Sequence, residues 1–478
     1  MDEQIKKIKS RSFLSIGSLL AQSSYSAGLG FLAFFILTLK SGVYLLGIYN
    51  TVLAMMSFFN YITNLGLAAA IVQKKDTKEI DLNTAFFLQF FLTLAATIIG
   101  FLLTGYLFKF YKDLPKQAAY LYWSILISFF ILSFKTIPSV LLEKKIKIYK
   151  VVMAQALENT VFYLAVIIFS LLGFEIFSLV IAVLLRSIVG TITIYFLNPW
   201  FPKPMFSVKS AKALLKFGVP FQGNSFLAFF KDDLLIMYLG GVVGFKNLGY
   251  ITFAKKYAEF SVRLITDNIN RVAFPLFSRF QNDLKMLRKS LEKVLFYETL
   301  ITFPVVVGAL FVFDNLLKIS PKYYLKWNSA LFSFYFFSLS AFFVNLTTPL
   351  INLFNALGKV KISLYFMVLW TILTWILVPT FLKIFGFNGV SIAFFIMSLT
   401  FIFVFLVSKK QFEYSLSRSI KSNLLALSAM IIYLLSVKSL NNLFISIIGA
   451  GIIYVFIVYK TKGQALISEI SDLIKKHD

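Results

Sequence analysis

Long apolar stretches separated by short polar segments recur along the whole chain. A helix that crosses the hydrocarbon core of a bilayer needs about 20 mostly apolar residues, at a rise of about 1.5 Å each. This length predicts an all-α integral membrane protein with about fourteen transmembrane helices. Their predicted ranges are 13–38, 43–66, 84–109, 118–141, 149–172, 175–197, 212–239, 247–274, 291–314, 327–355, 361–382, 387–408, 419–437 and 441–459.

Lys and Arg are distributed unequally between alternate loops. With a cytoplasmic N-terminus, the cytoplasmic segments hold 30 of the 47 basic residues and the external loops hold 10. Cytoplasmic loops of membrane proteins carry an excess of Lys and Arg, so both termini are predicted to lie on the cytoplasmic side of the inner membrane. The apolar stretch 13–38 is longer than the 7–15 residues or so of a signal-peptide core. We expect it to be the first span.

The sixth and seventh spans are separated by the proline-rich segment Asn198–Ser210, where a helix cannot continue. Gly17 and Gly218 occupy similar places near the start of the first and seventh spans. Leu46-Gly-Ile-Tyr49 likewise resembles Leu248-Gly-Tyr-Ile251, at nearly the same offset. An even number of spans in each half makes such repeats parallel, as in several transporter folds.

These features predict two six-helix lobes, a parallel repeat around a central cavity, followed by two additional helices. The predicted domains are an N-terminal lobe at 1–200, a C-terminal lobe at 201–411, and two helices with a cytoplasmic tail at 412–478.

Composition narrows the possible chemistry. Hydrophobic residues make up 59% of the 478 and charged ones only 14%, although the net charge is +26. Because the basic residues lie in loops between apolar stretches, they indicate membrane topology rather than nucleic-acid binding. There is no cysteine, and the single histidine is His477 in the polar tail. A thiolate nucleophile, a zinc site and a His-based catalytic group are therefore not expected, and we predict no metal, no cofactor and no enzymatic activity.

Ionisable residues inside spans are rare and are by default functional candidates. The basic candidates, for substrate binding, are Lys135, Arg186, Lys231, Lys255, Lys256, Arg263 and Arg271. The acidic candidates, for ion coupling or charge relay, are Glu158, Asp232, Asp233, Glu259 and Asp267.

The eighth predicted span carries the clearest pattern. Lys256, Glu259, Arg263, Asp267 and Arg271 follow one another at spacings of three or four residues, which places them on one helical face with alternating charge. The stripe is about 22 Å long at 1.5 Å per residue and must line water or another polar helix. It could also be structural, with Arg263 merely bridging the two carboxylates one turn away on either side.

The other charges allow both interpretations as well. Lys231-Asp232-Asp233 interrupts the seventh span, and a carboxylate there could exchange a proton, bind a cation or form a buried ion pair. In the first half, Arg186 lies mid-span, Glu158 belongs to a polar patch, and Lys135 is near enough to the cytoplasm to reach it. The excess of basic over acidic groups favours an anion, and an anion reachable from the membrane points to a lipid phosphate or pyrophosphate.

Several stretches resemble the Wzx-like oligosaccharide flippases, the polysaccharide transporter branch of the multidrug/oligosaccharidyl-lipid/polysaccharide exporter superfamily. They are Leu65-Gly-Leu-Ala-Ala-Ala-Ile-Val-Gln-Lys-Lys-Asp76, Leu214-Leu-Lys-Phe-Gly-Val-Pro-Phe-Gln222, Gly249-Tyr-Ile-Thr-Phe-Ala-Lys-Lys-Tyr257 and Arg271-Val-Ala-Phe-Pro-Leu-Phe-Ser-Arg279. The resemblance covers roughly the first 300 residues well and the rest mainly by hydropathy.

This resemblance implies a V-shaped pair of lobes that works by alternating access. It implies transport of undecaprenyl-pyrophosphate-linked oligosaccharide repeat units to the outer leaflet for surface polysaccharides such as the O-antigen of lipopolysaccharide. Implied partners are H⁺ or Na⁺ as coupling ion, membrane lipids, and a polysaccharide polymerase with its chain-length regulator.

Three alternatives stay open: a flippase for lipid II, a drug exporter of the same superfamily, and a membrane polysaccharide polymerase or ligase. A drug or cation exporter should have an acidic, aromatic-lined cavity, against the basic excess seen here. A polymerase or ligase usually carries a large external catalytic loop, and the longest external loops here, near 109–116 and 315–327, are short.

Overall fold

In a computed structural model, the backbone is described for residues 2–74, 76–145, 147–437 and 442–475. Side chains are described for 18, 21–74, 76–145, 147–220, 222, 226–260, 262–263, 265–270, 273–417, 419–437, 442 and 444–462. His477 and the side chain of Arg271 lie outside these residues.

The described chain is all-helical, with no β-strand among its residues. Besides two short 3₁₀ segments, its helices are α1 (Asp2–Lys40), α2 (Val43–Asn64), α3 (Leu67–Gln73), α4 (Glu79–Phe110), α5 (Ala118–Ser133), α6 (Thr136–Lys144), α7 (Ile148–Leu171), α8 (Ile176–Leu197), α9 (Val208–Lys231), α10 (Asp233–Arg279), α11 (Leu284–Lys318), α12 (Pro321–Trp327), α13 (Leu331–Ala356), α14 (Val360–Phe385), α15 (Gly389–Ser398), α16 (Phe401–Phe412), α17 (Leu416–Ser436) and α18 (Leu443–Lys475).

The all-α membrane fold is confirmed, but the count of fourteen spans is not. Among the described residues, ten helical segments are long and apolar enough to cross a membrane, or eleven if the bent pair α5 and α6 forms one span. Two differences explain the lower number. The segment Val360–Phe412 counts once where two spans were predicted, and α9 and α10, which carry the charged residues of the seventh and eighth predicted spans, are not among the eleven.

The chain divides into two compact units, Met1–Gly249 and Tyr250–Asp478, with the boundary inside α10. In the N-terminal unit, α7 packs against α1 and α8, and α5 packs against α8. In the C-terminal unit, α11 packs against α13 and α17, and α13 and α14 pack against α15. The division into lobes at 1–200, 201–411 and 412–478 stays a prediction.

A close backbone contact joins the end of α2 to α9 in the N-terminal unit. Gly66 adopts a positive φ of 66° and follows Leu65, another left-handed residue. A Cβ on Gly66 would collide with the backbone of Gly218, and a Cβ on Gly218 would collide with Leu65 and Gly66. Glycine is needed on both sides of this contact, which explains the glycines of two of the family-like stretches.

The boundary predicted between the seventh and eighth spans, at 239–247, falls on a kink. Gly244 has φ 75° and ψ 162° inside α10, which an L-residue with a side chain rarely adopts. The seventh predicted span, 212–239, is itself divided, because α9 ends at Lys231 and α10 begins at Asp233.

Candidate functional site

The charged stripe of α10 lies on an exposed face of the C-terminal unit. Lys256, Arg263 and Asp267 are exposed and Glu259 is partly buried. The side chain of Arg263 is 72% exposed, against 25% for Glu259. On a helix flanked in the sequence by apolar spans, such a face cannot be covered by lipid alone.

Ion pairing along this stripe is uneven. The Arg263 guanidinium lies 3.2 Å from the carboxylate of Glu259, and the Lys255 ammonium lies 4.0 Å from the same group. Lys255 also lies over the ring of Phe394, 4.4 Å from its centroid. Asp267 forms no ion pair with a described side chain. Only one half of the predicted bridge between Glu259, Arg263 and Asp267 is therefore present, and the guanidinium keeps donors free for a ligand.

Three charged groups meet inside the N-terminal unit. Glu158 on α7 is buried. Its carboxylate accepts a 2.5 Å hydrogen bond from Lys135 and lies 3.6 Å from Arg186 of α8. Lys135 stands at the 43° bend between α5 and α6, and its ammonium donates to this carboxylate. The close approach requires Gly190, because a Cβ there would collide with the Glu158 carboxylate.

The Lys231-Asp232-Asp233 sequence coincides with the junction between α9 and α10. The Lys231 ammonium lies 2.9 Å from the Asp232 carboxylate, so these two residues neutralise each other. The hydroxyl of Ser57 on α2, which donates to the Leu53 carbonyl at 3.2 Å, is a polar neighbour of Asp233. Of the two aspartates, Asp233 is the one without a basic partner among the described side chains.

A cavity of about 410 Å³ lies within the N-terminal unit. It is lined by α2, α4, α5, α7 and α8, and its wall includes Arg186, Ser57, Asn60, Asn64 and Gln89. We call it the N-terminal cavity. It brings Arg186 to the same space as Ser57, the neighbour of Asp233.

Sequence reasoning missed Glu298 on α11. This residue is 0% exposed. Thr266 is a polar neighbour, yet neither carboxyl oxygen makes a hydrogen bond among the described residues. Asn345 on α13 accepts a hydrogen bond from Thr266 and donates one to Thr302, which lies one turn after Glu298 on α11. The signal was present, since Glu298 is an acidic residue inside the predicted span 291–314.

Chemically, these sites offer fixed positive charge, carboxylates and amides, but no arrangement of nucleophile and base. Among the described residues, no group of three or more His, Asp or Glu side chains could hold a metal ion. The positive charges, carboxylates and amides of these sites can bind an anionic ligand and exchange ions.

The fold is that of a known class of membrane transporter. A solved structure of the lipid II flippase MurJ in an inward closed conformation superposes with a TM-score of 0.74, at 15% identity, over 94% of this chain and 99% of that one. A MOP superfamily transporter from Pyrococcus furiosus superposes with a TM-score of 0.53, at 16% identity, over 84% of this chain and 95% of that one. The protein is therefore an all-helical membrane protein with the MOP transporter fold.

The family described as "Polysaccharide biosynthesis protein" matches residues 45–330, more than half of the chain, and the chain belongs to this family. It is 23% identical to the lipopolysaccharide biosynthesis protein WzxC of Escherichia coli K12 over 334 residues, 68% of this chain and 66% of that one. It is 22% identical to the teichuronic acid biosynthesis protein TuaB of Bacillus subtilis 168 over 261 residues, 54% of this chain and 53% of that one. The chain thus aligns with just under two thirds of one curated relative and about half of the other. The resemblance inferred from the sequence motifs is confirmed.

Proposed function

We propose that this protein is a flippase that moves undecaprenyl-pyrophosphate-linked oligosaccharide repeat units across the inner membrane for surface polysaccharide biosynthesis. The observation that carries the proposal is the exposed Arg263, whose guanidinium pairs only with Glu259 among the described side chains. Membership of the polysaccharide biosynthesis family supports a saccharide as cargo. In this proposal transport, and not catalysis, is the activity of the chain.

An anionic lipid-linked substrate suits the chemistry of α10. A planar guanidinium binds phosphate oxygens through two parallel hydrogen bonds, and Lys256 and Lys255 add positive charge about two turns away. Arg271 would extend the same face by two turns of helix. A pyrophosphate held here would be released when the substrate enters the opposite leaflet, as alternating access requires.

Coupling to an ion gradient is the second part of the proposal. Asp233 is the favoured group, because Asp232 is already neutralised by Lys231. Glu158, Glu259 and Asp267 are the remaining candidates for charge relay. H⁺ and Na⁺ both suit a carboxylate, and we propose cytoplasmic N- and C-termini, with a polysaccharide polymerase and a chain-length regulator acting on the product.

The test is the sidedness of the lipid-linked oligosaccharide in cells that lack the protein. Synthesis should continue while the product accumulates on the cytoplasmic leaflet, and restoring the gene should return it to the outer leaflet. Lipid II, followed in the same cells, should keep its normal distribution. Redistribution of lipid II instead would identify a peptidoglycan flippase, and failure of glycan assembly in vitro without the protein would identify an enzyme.

A further inference from the structure

The N-terminal cavity has a composition that pyrophosphate binding does not require. Its volume of about 410 Å³ is within the range of small-molecule sites, about 300–1,000 Å³. Around one guanidinium it collects carboxamides, hydroxyls and aromatic rings, the last from Tyr49, Phe129 and Phe162. Such a mixture matches a saccharide, whose hydroxyls need donors and acceptors together and whose C–H faces pack on aromatic rings.

Two carboxamides in this wall are unoccupied. Asn60 and Asn64 are four residues apart on α2 and therefore lie on one helical face. Neither amide makes a hydrogen bond among the described residues, whereas the Gln89 amide on α4 donates to Thr136 at 3.2 Å. Each free carboxamide offers two donors and one acceptor, which can bind neighbouring sugar hydroxyls.

Arg186 adds a charge that is only partly satisfied. Its guanidinium is 3.6 Å from Glu158, which is too long for a hydrogen bond, and the carboxylate is already bonded to Lys135. The Arg186 Nε is buried without a hydrogen-bond partner, although the side chain as a whole is 41% exposed. The three charges sum to one positive charge beside the cavity, so its donors favour an acidic group on the ligand.

We infer that the N-terminal cavity is a saccharide subsite for a sugar with an acidic substituent, held by its carboxylate on Arg186 and by its hydroxyls on Asn60 and Asn64. The inference rests on the proposed function, because it assigns the glycan part of the lipid-linked cargo to this cavity. The pyrophosphate is then bound elsewhere, by the charges of α10. A sugar without the acidic group binds here more weakly.

The experiment is saturation-transfer NMR on the purified full-length protein, with glucuronic acid, glucose and pyrophosphate as separate probes. Glucuronic acid should bind, glucose should bind more weakly, and pyrophosphate should not displace either sugar. Arg186→Gln should lower the affinity for glucuronic acid about tenfold, the loss expected for one charge-assisted hydrogen bond. The affinity for glucose should not change. Asn60→Ala should lower the affinity for both sugars.

Matched controls are Arg288→Gln, at a partly buried position of the C-terminal unit, and Asn328→Ala, at an exposed one. Both should leave sugar binding unchanged. Arg186→Gln should fold, because Lys135 still neutralises Glu158, and thermal unfolding of each variant checks this. The inference is overturned if no sugar binds the wild type, or if both cavity variants bind glucuronic acid normally. It is also overturned if pyrophosphate competes with the sugars and Arg186→Gln no longer binds pyrophosphate. If the proposed flippase function is wrong, the sugars should still bind as described, but the sidedness of the lipid-linked oligosaccharide in cells should not depend on the protein.

Discussion

The guanidinium of Arg263 lies 3.2 Å from Glu259, one turn earlier on the same helix, and no described contact ties it to Asp267, one turn later. Glu259 retains Lys255 at 4.0 Å when the arginine is removed. Because Glu259 keeps this second basic neighbour, removing Arg263 does not leave an unpaired carboxylate. A substrate role for Arg263 can therefore be tested separately from a scaffolding role.

Arg263→Ala should abolish translocation with little loss of folded protein. An exposed ion pair contributes about 0–1 kcal/mol, so the unfolding temperature should change little. Arg263→Lys should restore activity only in part, since an ammonium keeps the charge without the bidentate fork. Transport is measured at matched expression, with Lys318→Ala as control, because Lys318 also forms an i,i+4 pair, with Asp314.

The scaffolding alternative has its own test. Replacing Glu259, Arg263 and Asp267 by Gln, Gln and Asn removes the charges together and leaves no carboxylate without its partner. A folded but inactive triple variant assigns Arg263 to the substrate. Full transport by that variant would show that the arginine only supports the helix.

Gly190→Ala should destabilise the N-terminal unit, because the new Cβ collides with the buried Glu158 carboxylate. Overpacking of this kind costs about 1–3 kcal/mol. Gly105→Ala is the control, since a Cβ at that helical position meets nothing within 4 Å, and alanine there should be neutral or slightly stabilising. Thermal unfolding of both purified variants makes the comparison, and equal unfolding temperatures would contradict the packing at Glu158.

Glu158 and Glu298 are both buried acidic residues, but replacing each by leucine should affect the stability of the protein differently. Glu158→Leu leaves Lys135 and Arg186 without their carboxylate, and breaking a buried pair costs about 3–5 kcal/mol. Glu298→Leu removes a carboxyl group that has no hydrogen-bond partner among the described residues, so the stability should be unchanged or higher. Unfolding temperatures of the two variants measure this difference, and a large loss at Glu298 would reveal a partner for its carboxyl.

Asp233→Asn should uncouple transport from the ion gradient while the protein stays folded. Asp232→Asn should have the smaller effect, because Asp232 is neutralised by Lys231. The measurement is gradient-driven flux in vesicles for the two single variants and the double one. Unchanged flux in all three removes these aspartates from the coupling role.

Reporter fusions test the predicted topology. Fusions at Lys144 and Lys285 should report the cytoplasm, and those at Asp113 and Lys322 the exterior, as the distribution of Lys and Arg in the loops indicates. If Lys285 and Lys322 report the same side, the helix count between them is wrong.

The sequence by itself determined the fold class and the family. Apolar stretches of membrane-spanning length leave few alternatives, because every backbone polar group in a bilayer must be bonded internally. The spacing along α10 also placed Lys256, Glu259, Arg263 and Asp267 on one face, since a helical period needs only local information. The span count was less secure, because hydropathy does not decide how Val360–Phe412 or the charged helices α9 and α10 cross a membrane.

Only the tertiary structure decided which charges meet. Lys135, Glu158 and Arg186 are far apart in sequence and come together because α5, α7 and α8 pack around Gly190. The same packing creates the N-terminal cavity and brings Asn60, Asn64 and Arg186 to its wall. Elsewhere, packing buries Glu298 where its carboxyl finds no hydrogen-bond partner among the described residues. Burial and pairing depend on which helical faces touch, and that choice follows from long-range packing, which a single sequence read in local windows does not contain.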